Sequence, residues 1–325
     1  MTAQVPRLNR GDVGHRVVVR HRLPEPRDGA TLTDVVGVLE SYDDEALVVR
    51  RADASTEVVR HHDVAAAKTV PPVPLRRVDT DAILLAAALG RPAAETRRLG
   101  DWLLRASEGW TGRANSVLPY GDPGMPAEEA LRRAADFYRT RDLPPRALTP
   151  LGSPAEDLFR GAGWVEARPH DGDALVLHTT LDLVNATPPV AVDVCEAPDE
   201  DWFGVLFQGA EPPAAARTVL TGAPRAAFAW VRLDGHTVAV ARGALTGHWL
   251  GVDSVHVRAG YRRRGLGTAL LRALARWGGA HGGRRTYIEV EEDNRAALAT
   301  YTGLGYREAY RYRYLTTPDA SSARH

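Results

Sequence analysis

A small all-β domain followed by a mixed α/β region is what this chain predicts, and three stretches carry that prediction. Val257-Arg258-Ala259-Gly260-Tyr261-Arg262-Arg263-Arg264-Gly265-Leu266-Gly267-Thr268 closes a β-like run and opens an amphipathic helix. Thr286–Glu291 then supplies another strand, and Asn294–Tyr306 a short helix with a capping residue at its start and glycines at its end. Residues 1–72 hold only short strand-like runs.

Within 1–72, the β-branched runs Val17–Val19, Val35–Leu39, Leu47–Val49, Thr56–Val59 and Lys68–Val70 read as strands. Asp43-Asp44 and Ala52–Ser55 read as turns, and His61–Val64 as a short helical turn. Five short strands predict a small SH3-like β-barrel, ended by the stiff Pro71-Pro72-Val73-Pro74 linker. Ten basic against eleven acidic residues give this segment no cationic surface for nucleic acid. Tyr42 is its only aromatic besides histidines, so it lacks the aromatic groove that binds proline-rich ligands. His61 and His62 have no third metal ligand nearby. A structural or assembly role is expected.

Residues 75–185 and residues 188–317 read as two copies of one repeat. Gly161-Ala162-Gly163-Trp164 mirrors Gly303-Leu304-Gly305-Tyr306 at an offset of 142. Upstream, Arg113–Leu118 reads as a strand, Pro126–Arg141 as a helix, Arg146–Leu151 as a strand and Pro154–Gly161 as a short helix. The turn Gly121–Pro126 has no arginine, carries Asp122, and spends two positions on prolines that have no N–H to donate. The same offset puts Phe159 opposite Tyr301 and Gly152 opposite Asn294. The first copy is expected to have lost its chemistry.

Residues 188–317 read as the competent lobe. Val192–Cys195 is its first strand, with helices around Asp199–Gln208 and Pro212–Leu220. Ala226–Leu233 and Thr237–Ala244 form a hairpin over Asp234-Gly235-His236. Leu250–Val257 leads into the helix from Gly265, whose Leu266, Leu270, Ala273, Leu274 and Trp277 share a face until Gly278-Gly279 stops it. Thr286–Glu291, the Asn294 helix and Arg307–Leu315 complete the sheet, and 318–325 is a disordered polar tail.

The chemistry sits at the glycine turn. A strand–turn–helix junction leaves backbone N–H groups pointing outward, backed by the positive end of the helix dipole. Gly265 and Gly267 have no Cβ to keep an oxygen away. From Arg258 to Arg285 there are eight arginines and no Asp or Glu, which makes this a site for a multiply charged anion.

Here the chain closely resembles the GNAT superfamily of acyl-CoA-dependent N-acetyltransferases. Arg262-x-x-Gly265-x-Gly267 matches its pyrophosphate loop, and Asn294, Ala297, Tyr301, Gly305 and Tyr306 match its second signature. The whole layout resembles an actinobacterial histone-acetyltransferase-like family with an N-terminal SH3-like domain. The resemblance implies the GNAT acyl-CoA N-acyltransferase fold as two tandem lobes, 75–185 degenerate and 188–317 catalytic, behind the barrel of 1–72. It implies acetyl-CoA as co-substrate, its pantetheine arm paired with the backbone of Val255 and Val257. The amides of Arg262 to Thr268 would hold the pyrophosphate, with Arg262, Arg263 or Arg264 reaching its oxygens and Asn294 contacting the co-substrate as well as capping a helix. Tyr301 matches the family's general acid. Asp253 stands where many members carry a catalytic glutamate. His256, on the opposite strand face by simple alternation, is the alternative base, and Glu289 and Glu291 are further choices.

The expected activity is direct acetyl transfer, in a ternary complex, to a primary amine on a protein lysine or a small molecule, with no metal. The alternative is a non-catalytic acyl-CoA sensor or scaffold. At 325 residues the chain is long enough for two or three domains, and 41 basic against 41 acidic residues disfavour a protein that coats nucleic acid or membrane. Lys68 is the only lysine. Cys195 is the only cysteine, expected to be packed, so no disulfide or thiol metal site is expected. With no signal peptide and no long apolar span, a cytoplasmic location is expected.

Overall fold

Valine-rich alternation builds the first domain as anticipated. The computed structural model describes residues 8–27, 29–51, 53, 55–70, 77–167 and 173–322. Its first strands are β1 (Arg16–Arg27), β2 (Ala30–Tyr42), β3 (Ala46–Arg50), β4 (Thr56–Arg60) and, after a 3-10 turn at His61–Asp63, β5 (Val64–Thr69). Val17, Val19, Val35, Leu39, Leu47 and Val49 point inward to form its core. The β2–β3 turn is tied by Asp43, whose Oδ1 accepts from the N–H groups of Glu45 and Ala46, each at 2.8 Å. All pairs are antiparallel in the order β4-β3-β2-β1-β5. Among the described residues nothing pairs β4 with β5, so the sheet does not close into the expected barrel. The Pro71–Pro74 linker lies outside the described residues.

This domain docks on the next through arginines. Arg16 Nε donates to Asp182 Oδ2 at 2.8 Å, Arg50 Nη1 to the Asp182 carbonyl at 2.9 Å, and Asn185 Nδ2 to the Arg51 carbonyl at 3.3 Å.

The middle of the chain forms α1 (Arg77–Gly90), β6 (Glu95–Leu99), β7 (Trp102–Ala106), β8 (Val117–Leu118), α2 (Ala127–Arg139), β9 (Arg146–Pro150), α3 (Pro154–Gly161), β10 (Val165–Glu166), β11 (Ala174–Thr180) and α4 (Leu181–Val184). Helix α2 buries Ala130, Ala134, Phe137 and Tyr138, and α3 is capped by Ser153, which accepts from Glu156 N–H at 3.2 Å. The strand expected over Arg113–Leu118 shrinks to two residues because Asn115 organises a loop instead. Its Oδ1 accepts from Ser107 and Gly109 N–H at 2.7 and 3.0 Å, and its Nδ2 donates to the Trp110 and Thr111 carbonyls at 2.7 and 2.9 Å.

The last part comprises β12 (Asp193–Cys195), α5 (Glu200–Leu206), α6 (Ala214–Thr221), β13 (Ala226–Leu233), β14 (His236–Thr246), β15 (Trp249–Val257), α7 (Leu266–Ala280), β16 (Arg285–Glu291), α8 (Arg295–Gly303), β17 (Arg307–Thr316) and α9 (Pro318–Ser322). Three expectations are corrected here. Helix α7 runs through Gly278 and Gly279, because a bare Cα at 278 lets it lie close on β15: a Cβ there would stand 3.0 Å from Leu250 Cδ2. Cys195 is exposed, since β12 is a sheet edge. The tail begins with a helical turn, α9, rather than without structure.

β6 to β17 make one 12-stranded sheet, ordered β12-β13-β14-β15-β16-β11-β17-β9-β8-β7-β6, with β10 on β17. Its two parallel contacts, β8–β9 and β15–β16, recur once in each half, as the internal repeat requires. The connection near residues 185–188 does not divide the sheet, however. Strand β11 of the first half lies between β16 and β17 of the second, and β17 pairs with β9, β10 and β11. Among the described residues no helix is long and apolar enough to cross a membrane.

Because β11 and β17 each complete the other half, fragments 75–185 and 188–317 expressed separately should show no cooperative thermal transition by circular dichroism. Mixed, they should regain one. A sharp transition from either fragment alone would mean that each half closes its own sheet.

Candidate active site

Strand β15 carries one residue more than its neighbour. Between Val240 and Arg242 on β14 lies Ala241 alone, while between their partners His256 and Asp253 lie Ser254 and Val255. This is a β-bulge, and Ser254 takes a positive φ of 55° to make it. Directly paired residues share a sheet face, and Arg242 and Val240 are two apart on a regular strand. Asp253 and His256 therefore share a face, against the opposite faces that simple alternation predicted. Parallel pairing of β15 with β16 runs from Trp249–Arg285 to Val252–Ile288 and ends there. Beyond it the strands part, leaving the β16-facing backbone edge of Asp253–Val257 without a strand partner.

After Val257 the chain makes a 3-10 turn, Ala259–Tyr261, and enters α7 through Arg263 at φ 59° and Gly265 at φ 76°. Among the described residues, the backbone N–H groups of Arg263 to Thr268 reach no protein acceptor; Ala269 is the first to donate, to the Gly265 carbonyl at 2.9 Å. A Cβ on Gly267 would meet nothing within 4 Å, so the space before it is open cleft. This cleft, of about 670 Å³, is lined by Val255, His256, Val257, Gly267, Asn294 and Tyr301 among others.

The arginines divide their work. Arg262 and Arg263 border the cleft, and Arg262 Nε donates to the Val257 carbonyl at 3.1 Å. Arg264 is not on that border; its guanidinium lies 5.4 Å from the ring centre of Tyr261. Thr268 and Gly265 line the cleft as expected. Asn294 caps α8, its Oδ1 accepting from Ala297 N–H at 3.2 Å.

Tyr301 is buried on α8, 6.0 Å from Tyr306, whose hydroxyl meets Thr286 Oγ1 at 3.1 Å. Burial pushes the Tyr301 phenol up to about 12, so it stays protonated through the neutral range. No hydrogen bond to its hydroxyl is seen among the described residues, which leaves that proton free for something in the cleft.

Asp253 is tied down. Its Oδ2 lies 2.8 Å from Arg242 Nη1 and 3.1 Å from Arg91 Nη2, and Oδ1 accepts from Ser254 Oγ at 2.7 Å. Burial alone would raise its pKa, but Arg91 and Arg242 outweigh that and hold it below the usual carboxylate range. A carboxylate so held accepts a proton poorly, which weighs against Asp253 among the candidate bases. Glu289 is likewise engaged, 2.8 Å from Arg113 Nε and 3.9 Å from Arg91 Nη1, and Glu291 lies 3.8 Å from Arg113. Among the described residues His256 makes no such pair. Burial lowers its pKa, with Arg262 and Arg258 adding to the effect, so its imidazole is neutral near pH 7.

Arg91 and Arg113 were missed by sequence reasoning. They come from the first half, and no local motif marks them; only the shared sheet brings them to β15 and β16.

Two family models match the chain. One, the C-terminal part of a probable histone acetyltransferase, Rv0428c, covers residues 75–315; the other, the Rv0428c N-terminal Sm-like domain, covers 11–68. The second match replaces the SH3-like assignment of the first domain. Probable histone acetyltransferase Rv0428c of Mycobacterium tuberculosis is 29% identical over 314 residues, spanning 93% of this chain and 95% of that protein. A GCN5-related N-acetyltransferase from Kribbella flavida superposes with a TM-score of 0.54 at 17% identity, over 73% of this chain and 95% of its own. A tandem GNAT protein from the clavulanic acid biosynthesis pathway reaches 0.50 at 17% identity, over 76% and 97%. These two likenesses show a shared mixed α/β GNAT fold.

Arg242 is fully buried and also donates to the Leu220 and Gly90 carbonyls at 2.6 and 2.7 Å. Arg242→Met would strand both carbonyls and half of the Asp253 pairing, so chemical denaturation should show a loss of about 3–5 kcal/mol. A loss of under about 1 kcal/mol, the range of exposed pairs, would mean that the network does not hold the site together.

Proposed function

We propose, for a chain that belongs to the family of the probable histone acetyltransferase Rv0428c and is a GNAT-type N-acetyltransferase, that the cleft between β15 and α8 binds acetyl-CoA and that the acetyl group passes to a primary amine. One observation carries this reading: unpaired strand backbone, a run of unpaired amides at a helix start and a buried tyrosine hydroxyl all meet in one cleft. Their chemistry fits the three parts of the co-substrate in turn.

The amides of Arg263 to Thr268 and the guanidinium groups of Arg262 and Arg263 hold the pyrophosphate. The unpaired backbone of Val255 and Val257 orients the pantetheine amides, while their side chains pack on the core beneath. Asn294 sits at the cleft wall as both cap and contact. The bound thioester supplies the activated acyl group; the chain supplies positions and protons.

An amine arrives as an ammonium ion and must lose a proton before it can attack the thioester. Neutral His256, on the cleft and free of ion pairs, takes that proton directly or through water. Asp253 holds Arg91 and Arg242 in place, and so keeps the strands apart. Tyr301 gives its proton to the departing thiolate. The acceptor is an amine on a small molecule or a protein lysine, and the test is CoA release from acetyl-CoA with a panel of small amines and lysine peptides. No turnover with any of them would favour the acyl-CoA sensor.

Gly267→Asp puts a side chain and a negative charge into the open space of the loop, so acetyl-CoA binding should weaken by more than about 2 kcal/mol in calorimetry. Near-normal affinity in the folded variant would sink the assignment of the loop.

Tyr301→Phe should slow the chemical step by about 10²–10⁴-fold while acetyl-CoA affinity stays unchanged. An unchanged single-turnover rate would leave water or another group as the acid. His256 works as a base only when neutral, so the rate should fall as pH drops through its pKa, and that limb should lie below the ordinary 6.5. His256→Gln should abolish this limb. A limb that persists unaltered would move the base elsewhere.

A further inference from the structure

A second cavity, larger than the first at about 940 Å³, opens where the Sm-like domain meets the catalytic half. It lies beside the last turn of α8, lined by Thr302–Gly305, whereas the preceding turns of that helix, with Ala297, Thr300 and Tyr301, line the acetyl-CoA cleft. Its walls are of two kinds. Val13, Val38, Leu39, Val70, Leu183 and Leu304 give it an apolar side. Arg16, Arg50, Arg272 and Arg307 give it a cationic one, with Glu40 the only carboxylate on the lining among the described residues.

Those four arginines are not equally matched. Arg16 is paired with Asp182 at 2.8 Å and Arg50 with Glu40 at 2.5 Å. Arg272 and Arg307 have no carboxylate within ion-pair distance among the described residues. Among the described residues Arg272 reaches only the Thr187 carbonyl, at 3.3 Å, and its buried Nε has no partner. A buried guanidinium N–H without an acceptor is costly, and it marks a place where an acceptor belongs. The carbonyls at the end of α8 do not fill that need, because their own cap uses them: Leu304 N–H donates to Thr300 and Tyr301, Gly305 N–H to Thr302, and Tyr306 N–H to Tyr301.

We propose that this inter-domain cavity is a second ligand site, separate from the acetyl-CoA cleft, for a phosphate ester of mononucleotide size. Arg272 and Arg307 take the phosphate as charge-assisted donors, and the apolar wall takes the body of the ligand. Planar forked guanidinium groups suit a phosphate better than they suit a neutral polar group. A cavity of this volume lies within the range that holds a small molecule largely out of water. No single domain forms the site: Arg272 and Arg307 come from the catalytic half, and much of the remaining wall from the Sm-like domain.

ADP is the probe, measured by equilibrium dialysis on the full-length protein saturated with CoA, so that the acetyl-CoA cleft is occupied. One ADP per chain is expected. Arg307→Gln, at an exposed position, should weaken it about tenfold or more, and Arg272→Gln should do the same. A repeat on Gly267→Asp protein without CoA separates this idea from the proposed activity: the phosphate loop is then disabled, and a site that depends on Arg272 and Arg307 should persist. Absence of ADP binding at millimolar concentration in CoA-saturated and Gly267→Asp protein would overturn the proposal. Binding that CoA displaces fully, or that both arginine variants leave unchanged, would overturn it as well.

Discussion

The parting of β15 from β16 beyond Val252 and Ile288 is the constraint on which the candidate site depends. Two adjacent strands gain by staying paired, so something must hold them open. On β15 it is the bulge at Ser254, which spends an extra residue and turns the strand. At the base of the gap it is a set of charges, Arg91, Arg242 and Arg113 against Asp253 and Glu289. Every member has opposite charge beside it, so the cluster is tolerated where any lone member would be expelled. A strand edge freed in this way offers the amide pattern of a sheet to something that is not a strand.

The same charges explain why a half without the phosphate-loop signature is retained. Arg91 and Arg113 belong to that half, yet they contact carboxylates on β15 and β16. Its β11 fills the sheet beside β16, and β17 returns the exchange. Lacking the arginine-rich turn and a tyrosine at the position of Tyr301, such a half keeps its structural role. On the function proposed above, catalysis and architecture would be carried by different copies of one repeat.

Electrostatics also separate two groups that look interchangeable on paper. Asp253 and His256 are neighbours on one strand face, and either has the chemistry of a base. Ion pairing fixes Asp253 as an anion, while burial and the nearby arginines keep His256 neutral. The former suits holding cations in place and the latter suits receiving a proton.

The sequence by itself determined the glycine–arginine turn, the capped helix of Tyr301, the internal repeat and the strands of the first domain, because each is local. Positive φ at Gly265, a cap at Asn294 and alternation through Val17–Val19 or Val35–Leu39 are set by residues a few positions apart. What only the tertiary structure decided involves distance along the chain or a break in periodicity. The bulge at Ser254 reversed the face of His256, since one inserted residue shifts a two-residue period. Pairing of Arg91 and Arg242 with Asp253, and the place of Arg264 against Tyr261, are likewise set by the fold. Strand exchange carries one sheet across residues 185–188, because strand partners are chosen by the completed sheet and not by the order of elements.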